Sequence, residues 1–429
     1  MNLRSFFAAL LFAVALPQSS HAVGPDPVPT LQRELQALVN GAGSGRYGML
    51  VVSLDRGDTL FALGADRPLA PASNMKLFTT AAALLLLGPE FRYSTYLLAD
   101  GEVRDGVLEG DLILYGTGDP TLSGRLLPSA NSAFEALADS LRAAGIREVR
   151  GSLVGDGSFF DAEWTGPEWT ASHRAAAYGA PVGALAYAEN LAGGRPVSDP
   201  LRYTVAAFRE TLARRGIRVV GGTRTVTQPA VSRVGFAGAQ RNAPPRPLAV
   251  HLSPPLRDII RVTNQVSHNG FAEALLKTVG RVASGTGSFA EGCRATRVVL
   301  AQTLGLDTAG LGVTDGSGLS RSNRVTAGTT VQLLTAMARS NLAPVWEESL
   351  PVASGGAGSL RNRMGGTAAA GNLRAKTGTI RSVSSLSGYV RTADGERLAF
   401  SIVANDLPDE ARAKRLEDQI GARLARFRR

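Results

Sequence analysis

Apolar residues recur at helical spacing in Leu31, Leu35 and Leu38, so residues 30–39 are expected to form a helix. Residues 47–54 and 59–63 read as strands, and Asp55-Arg56-Gly57-Asp58 between them predicts a hairpin. Residues 73–87 are apolar on nearly every side and are closed by Gly88-Pro89. A helix without a polar face has to be buried, which places this one at the centre of a domain. Beyond Phe91 the texture changes to short strands with glycine turns, as at residues 93–98 and 112–115. Helical patterns resume at residues 256–265, 270–282 and 289–304, and strand-like runs at 382–391 and 397–404 flank an Asp394-Gly395 turn. The last helix, residues 409–427, sets Leu416, Ile420, Leu424 and Phe427 on one face and arginines on the other. Its arginine face offers a weak contact with a membrane surface, while the apolar stripe is what a terminal helix docked on a sheet needs.

Two segments of the middle region resemble each other. Ala133-Phe134 leads through Leu137 and Leu141 to Gly145-Ile146 and Val149, and Ala207-Phe208 leads through Leu212 to Gly216-Ile217 and Val219-Val220. Each reads as a helix ended by glycine and followed by a strand. The repetition predicts an accessory region with its own small sheets, left through the proline-rich stretch 243–247. The expected organisation is a leader at residues 1–22, one domain built from 23–92 and 248–429, and an inserted region at 93–247 made of two small subdomains.

The leader rests on Arg4, an apolar run from Phe6 to Leu16, and the small-x-small pattern Ser20-His21-Ala22. This is the pattern of a secretory signal peptide cleaved after Ala22, and no later stretch is long and apolar enough to span a membrane. The mature chain is therefore expected in the periplasm or cell envelope, or released from the cell. With 44% hydrophobic and 19% charged residues it is globular rather than disordered, and its one cysteine, Cys293, excludes internal disulfides and cysteine-built metal sites. The formal net charge is +10, yet only four of the 46 basic residues are lysines: Lys76, Lys277, Lys376 and Lys414. A codon bias favouring arginine would produce that imbalance without functional pressure, and a preference for anionic surroundings is the other reading. The imbalance also makes each lysine informative, because an ammonium can be tuned into a base and a guanidinium cannot.

Three short motifs carry the chemistry: Ser73-Asn74-Met75-Lys76, Ser267-His268-Asn269 and Lys376-Thr377-Gly378-Thr379. Spacing of i to i+3 at the head of the buried helix puts the Ser73 hydroxyl and the Lys76 amine on one face. A serine nucleophile needs an adjacent base, and Lys76 serves only when neutral. Lowering a lysine from about 10.4 to about 7 takes roughly 4 to 5 kcal/mol of bias against the ammonium. Burial, the positive end of the helix dipole and a second cation such as Lys376 all act in that direction. Ser267 is suited to relay a proton to the leaving amine and Asn269 to orient the substrate backbone. Lys376 and Thr377 suit a substrate carboxylate, and Gly378 lets backbone approach a ligand.

In this order the motifs resemble those of the penicillin-binding proteins and serine beta-lactamases. The wider chain resembles one branch, the D-alanyl-D-alanine carboxypeptidase/endopeptidases among the low-molecular-mass penicillin-binding proteins. The stretches that carry the resemblance are Pro71-Ala72-Ser73 with Lys76, Gly116-Thr117-Gly118-Asp119-Pro120, Ser253-Pro254-Pro255 followed by Asn264 to Asn269, Asp315 to Arg321, and Lys376 to Thr379. The resemblance implies an α/β (α+β) fold: a beta-lactamase/transpeptidase-like domain with an antiparallel sheet between helical layers, interrupted by a long insertion between the first two motifs. It implies Ser73 as nucleophile, Lys76 as base, Ser267 and Asn269 as relay and substrate contact, and Lys376 and Thr377 for the terminal carboxylate. Backbone amides of Ser73 and Thr379 would form the oxyanion hole. Peptidoglycan stem peptides and beta-lactam antibiotics are the implied partners. One departure stands out: before Tyr178-Gly179-Ala180-Pro181, where some relatives place an aspartate for the free amine of diaminopimelate, this chain reads His173-Arg174.

Gly116-Thr117-Gly118 lacks the Lys-Ser/Thr of a phosphate loop and is expected to be a turn. His173, His251 and His268 show no ligand spacing, so neither metal nor cofactor is expected. Asp315 to Gly318 reads either as a wall of the cleft or as a glycine turn. Dispersed arginines and export speak against nucleic acid. Two other functions share parts of this pattern. A beta-lactamase would need a deacylating base, and no Glu-x-x-Leu-Asn occurs; a non-catalytic wall-binding scaffold would have no use for three intact motifs.

Overall fold

The computed structural model describes residues 27–234 and 245–429. The expected leader and the start of the linker, Ala243-Pro244, lie outside the described residues.

Helix α1 (Pro27–Gly41) leads into strands β1 (Arg46–Ser53) and β2 (Thr59–Leu63). A 3-10 turn, Ala72–Asn74, opens α2 (Met75–Leu87). The chain then enters the insertion with β3 (Ser94–Arg104), β4 (Val107–Gly116), α3 (Ser132–Ala143), β5 (Glu148–Val149) and β6 (Leu153–Asp156). It continues through the short α4 (Ala171–Ala175), a ribbon of β7 (Leu191–Ala192) and β8 (Arg195–Pro196), α5 (Pro200–Arg214), β9 (Arg218–Val219), β10 (Thr223–Val226) and β11 (Arg246–Leu252). Five helices follow: α6 (Leu256–Gln265), α7 (Asn269–Ser284), α8 (Phe289–Leu304), α9 (Ala327–Arg339) and α10 (Ala343–Ser349). Strands β12 (Arg374–Ile380), β13 (Val383–Arg391) and β14 (Arg397–Asn405) and helix α11 (Glu410–Ala425) complete the chain.

The first and last strands join in one antiparallel sheet of order β12-β13-β14-β1-β2. Alternation along β14 sends Phe400 and Ile402 towards α1 and α11, and Ala399 and Val403 towards the layer of α2 and α6 to α10. The sheet is therefore covered on both faces, which is why β13 and β14 read as unbroken buried runs. This is the mixed fold with an antiparallel sheet between helical layers that the motifs implied. α2 is buried from Met75 to Leu84 and ends at Gly88, whose φ of 79° only glycine takes readily. Leu416, Ile420 and Leu424 of α11, with Phe427 beyond it, are buried in the core beneath the sheet. The apolar stripe is thus spent on packing, and the expected membrane contact has no apolar face left to use.

The insertion builds a second sheet, β10-β6-β4-β3-β11, with β5 beside β4 and β9 beside β5. The repeated helix-strand units are α3–β5 and α5–β9. Their strands pair in parallel, and Phe134, Leu141, Phe208 and Leu212 share one core. Where two subdomains were expected, both units are therefore halves of one sheet, because each helix needs the same apolar face to cover. The expected boundary after residue 247 also falls inside a strand: β11 pairs with β3 through Leu252. Pro247 is tolerated there because β11 is an edge strand.

Candidate active site

Ser73 sits in the 3-10 turn and Lys76 in the first turn of α2, so the i to i+3 relation holds across the junction. The Lys76 Nζ lies 3.0 Å from Ser73 Oγ, 2.8 Å from Asn269 Oδ1 and 2.7 Å from the Ser317 carbonyl. Asn269 and Ser317 present oxygens that can only accept. A neutral amine has two N–H donors for those two oxygens, and its lone pair is then left facing the Ser73 hydroxyl. The geometry suits an amine waiting for a proton.

Electrostatics agree. Lys76 is fully buried, and burial carries its pKa down to about 7 against the opposing pull of Glu273 and Asp315. Burial, and then the charge of Lys76, holds Lys376 well below the ordinary lysine range. Lys376, expected from sequence to bias Lys76 by its charge, is itself fully buried, and burial is what lowers Lys76. Of the two carboxylates, Asp315 enters the sequence reading only as part of a turn or cleft wall, and Glu273 does not enter it.

The second and third motifs meet at Lys376, whose Nζ donates to Ser267 Oγ at 2.9 Å and to the Thr377 carbonyl at 2.7 Å. Ser267, just before α7, holds a left-handed φ of 61°. Ser267 is thus joined to Lys376, while Lys76 is joined to Asn269. The Asn269 amide expected to face substrate is engaged on both sides, since Nδ2 donates to the Tyr178 carbonyl at 3.0 Å. The Thr377 hydroxyl donates to Ser359 Oγ at 2.7 Å, and Thr379 is exposed on the same face of β12. Gly378 packs against the turn that carries Ser73: a Cβ there would lie 2.3 Å from Ser385 Oγ, 2.7 Å from the Pro71 carbonyl and 2.9 Å from the Ser73 nitrogen. Gly378→Ala should push β12 off that turn, costing about 1 to 3 kcal/mol by overpacking. A denaturant melt and the rate of acylation by a labelled penicillin would both register the change, and a native rate would show that this close approach is dispensable.

The family described as D-Ala-D-Ala carboxypeptidase 3 (S13) matches residues 32–193 and 186–427 of this chain. The chain belongs to that family. A D-alanyl-D-alanine carboxypeptidase of Actinomadura sp. (strain R39) is 35% identical, over 89% of this chain and 81% of its own length. The carboxypeptidase DacB of Mycolicibacterium smegmatis is 30% identical, with the same coverage of 89% and 81%. Among solved structures, penicillin binding protein 4 of Haemophilus influenzae superposes with a TM-score of 0.79 at 24% identity, covering 92% of this chain and 99% of that one. The branch read from the motifs is borne out.

Within this D-Ala-D-Ala carboxypeptidase, several residues around the site were not read from sequence. Glu273, one turn along α7 from Asn269, is fully buried and accepts the backbone N–H groups of Gly316 at 2.7 Å and Ser317 at 2.9 Å. Burial, and then Asp315, push its pKa up. Asp315 holds the rest of that loop, accepting from Gly318 N, Ser320 N, Asn323 Nδ2 and Trp169 Nε1. The Asp315 segment is therefore both a turn and a wall of the site, because the carbonyl it presents at Ser317 binds Lys76. Gly318, at φ 83°, leaves no room for a side chain, since a Cβ would fall 1.8 Å from the Ala72 carbonyl. A glutamate interrupting an apolar helix was the available signal for Glu273; Tyr178 and Ser359 gave none. Arg174 donates to the Trp169 carbonyl, and neither it nor His173 bonds a motif residue among the described contacts.

Proposed function

We propose that this D-Ala-D-Ala carboxypeptidase is exported and trims peptidoglycan stem peptides through an acyl-enzyme on Ser73. The observation that carries the mechanism is the Lys76 amine with two carbonyl partners and a serine hydroxyl. Lys76 Nζ takes the Ser73 proton as Oγ bonds to the carbonyl carbon of the penultimate D-alanine. The peptide C–N bond then breaks, and the leaving amine of terminal D-alanine takes a proton delivered from Lys76 by way of Ser267. Water hydrolyses the ester and restores Ser73. Lys376 and Thr377 hold the terminal carboxylate, Asn269 orients the peptide, and backbone N–H groups of Ser73 and Thr379 receive the developing oxyanion, a contribution worth about 3 kcal/mol per donor. Gly378 keeps β12 close enough for that pairing.

The same chemistry cleaves a cross-link when the leaving amine belongs to a neighbouring stem peptide, and a beta-lactam acylates Ser73 in place of the D-alanine carbonyl. We assign catalysis to the first sheet with its helices and read residues 93–252 as an inserted wall of the cleft. No helix among the described residues is long and apolar enough to cross a membrane. The leader pattern supports export to the periplasm or cell envelope, or release from the cell.

Incubation with defined muropeptides, with products identified by mass, tests the assignment: loss of one alanine from pentapeptide stems is expected, and unchanged pentapeptide would overturn it. The base also sets a pH dependence. Lys76 is active when deprotonated, so the acylation rate should climb as pH rises through about 7 and level off above it. A rate that is flat from pH 5 to 9 would remove Lys76 from that role.

A further inference from the structure

The middle residue of the second motif, His268, lies between Ser267 and Asn269 and was assigned no part in the reaction. Its ring is held from two sides. Nδ1 accepts the backbone N–H of Phe271 at 3.2 Å, capping α7, so the ring proton belongs on Nε2. Nε2 then donates to Glu189 Oε2 at 2.9 Å.

Glu189 comes from the insertion. Arg125 fixes it in turn, with Nε 2.5 Å from Oε1 and Nη2 3.1 Å from Oε2. Burial works against this carboxylate, but the hydrogen bonds from His268 and Arg125 outweigh it and hold its pKa down to about 2. The backbone that delivers it is unusual. Ala188, Glu189 and Asn190 have φ of 49°, 60° and 55°, three consecutive non-glycine residues in the left-handed region. Such segments persist where their surroundings over-determine them, and they cluster at sites of function. Ser267, with φ of 61°, is in the same region on the other side of the contact. Tyr178 supplies a second hold from the insertion, its carbonyl accepting from Asn269. The cavity between these groups, about 270 Å³, is lined by Glu189, Tyr178, His268 and Ser267.

The geometry points to Glu189 as a positioning residue for the reaction: through the His268 ring it holds Ser267 and Asn269 at the angles that bring them to Lys376 and Lys76. The insertion is then part of the catalytic apparatus, because it supplies the support on which the second motif rests. This rests on Ser73 being the acylated residue.

The test uses Glu189→Asp and Glu189→Gln in the full chain and compares the acylation rate with labelled penicillin and the kcat and KM of D-alanine release. Aspartate keeps the charge but is one methylene too short to reach Nε2. Its acylation rate and kcat should fall about tenfold or more, KM changing little, as misplacement of reacting groups predicts. Glutamine gives up the ion pair with Arg125, which is partly exposed, but keeps an oxygen for the imidazole N–H, and should stay within about threefold of native. A native rate for the aspartate variant, or glutamine as damaging as aspartate, would overturn the inference. If the native protein itself takes no label at Ser73, the functional assignment falls and this inference with it; a labelled native protein with indifferent variants refutes the inference alone.

Discussion

Ser73→Ala is expected to abolish D-alanine release, lowering kcat by about 10⁴-fold or more, as removal of the nucleophile does in serine hydrolases generally. The other hydroxyl beside a lysine, Ser267, is hydrogen-bonded to Lys376 and has the relay rather than the attack as its role, so it does not take the place of the missing nucleophile. Structure should survive the change. Ser73 has one side-chain partner, and Lys76 keeps Asn269 and Ser317 when the hydroxyl is removed. The loss to stability is then about 1 kcal/mol, that of a single hydrogen bond. Intact-protein mass after penicillin treatment reads the result directly: the native chain gains the drug and the variant does not. Undiminished release of D-alanine by a folded Ser73→Ala protein would move the nucleophile elsewhere.

The catalytic layer was legible in the sequence where short-range signals and burial agree. α8 begins and ends at the residues its pattern marked, with Ser288 accepting from Glu291 N at one end and Gly305 left-handed at the other. β2 spans the run read between its turn and Leu63, and α2 showed itself by lacking any polar face. What stayed hidden depends on partners far along the chain. β12 carries Arg374, Lys376, Thr377 and Thr379, which have no apolar alternation, and it is a strand because β13 supplies its ladder. β11 opens with Arg246-Pro247 and is largely exposed, so neither composition nor periodicity marked it. The site divides in the same way. Ser73 and Lys76 could be paired from their spacing. That Lys76 is gripped by Ser317, and that the loop bearing Ser317 is carried by Glu273 and Asp315, follows from long-range packing that no local pattern encodes.

Lys76→Arg separates the two properties that a lysine here combines, charge and basicity. The guanidinium stays protonated at every pH at which the protein is folded, so no lone pair is offered to Ser73. Acylation should fall by about 10² to 10⁴-fold, the range that general-base catalysis contributes. Its small residual rate should lose the rise with pH through about 7 that marks the native amine. Native Lys76 is fully buried, so the bulkier side chain also overpacks α2, at about 1 to 3 kcal/mol. Lys76→Met controls for that cost, because it nearly conserves volume while removing the amine. If basicity is what matters, both variants lose acylation together even though only one keeps the charge. An arginine variant that acylates within tenfold of native would instead assign the base to Lys376, the other buried amine with a serine hydroxyl within hydrogen-bond distance. The motif order would then stand with its roles exchanged.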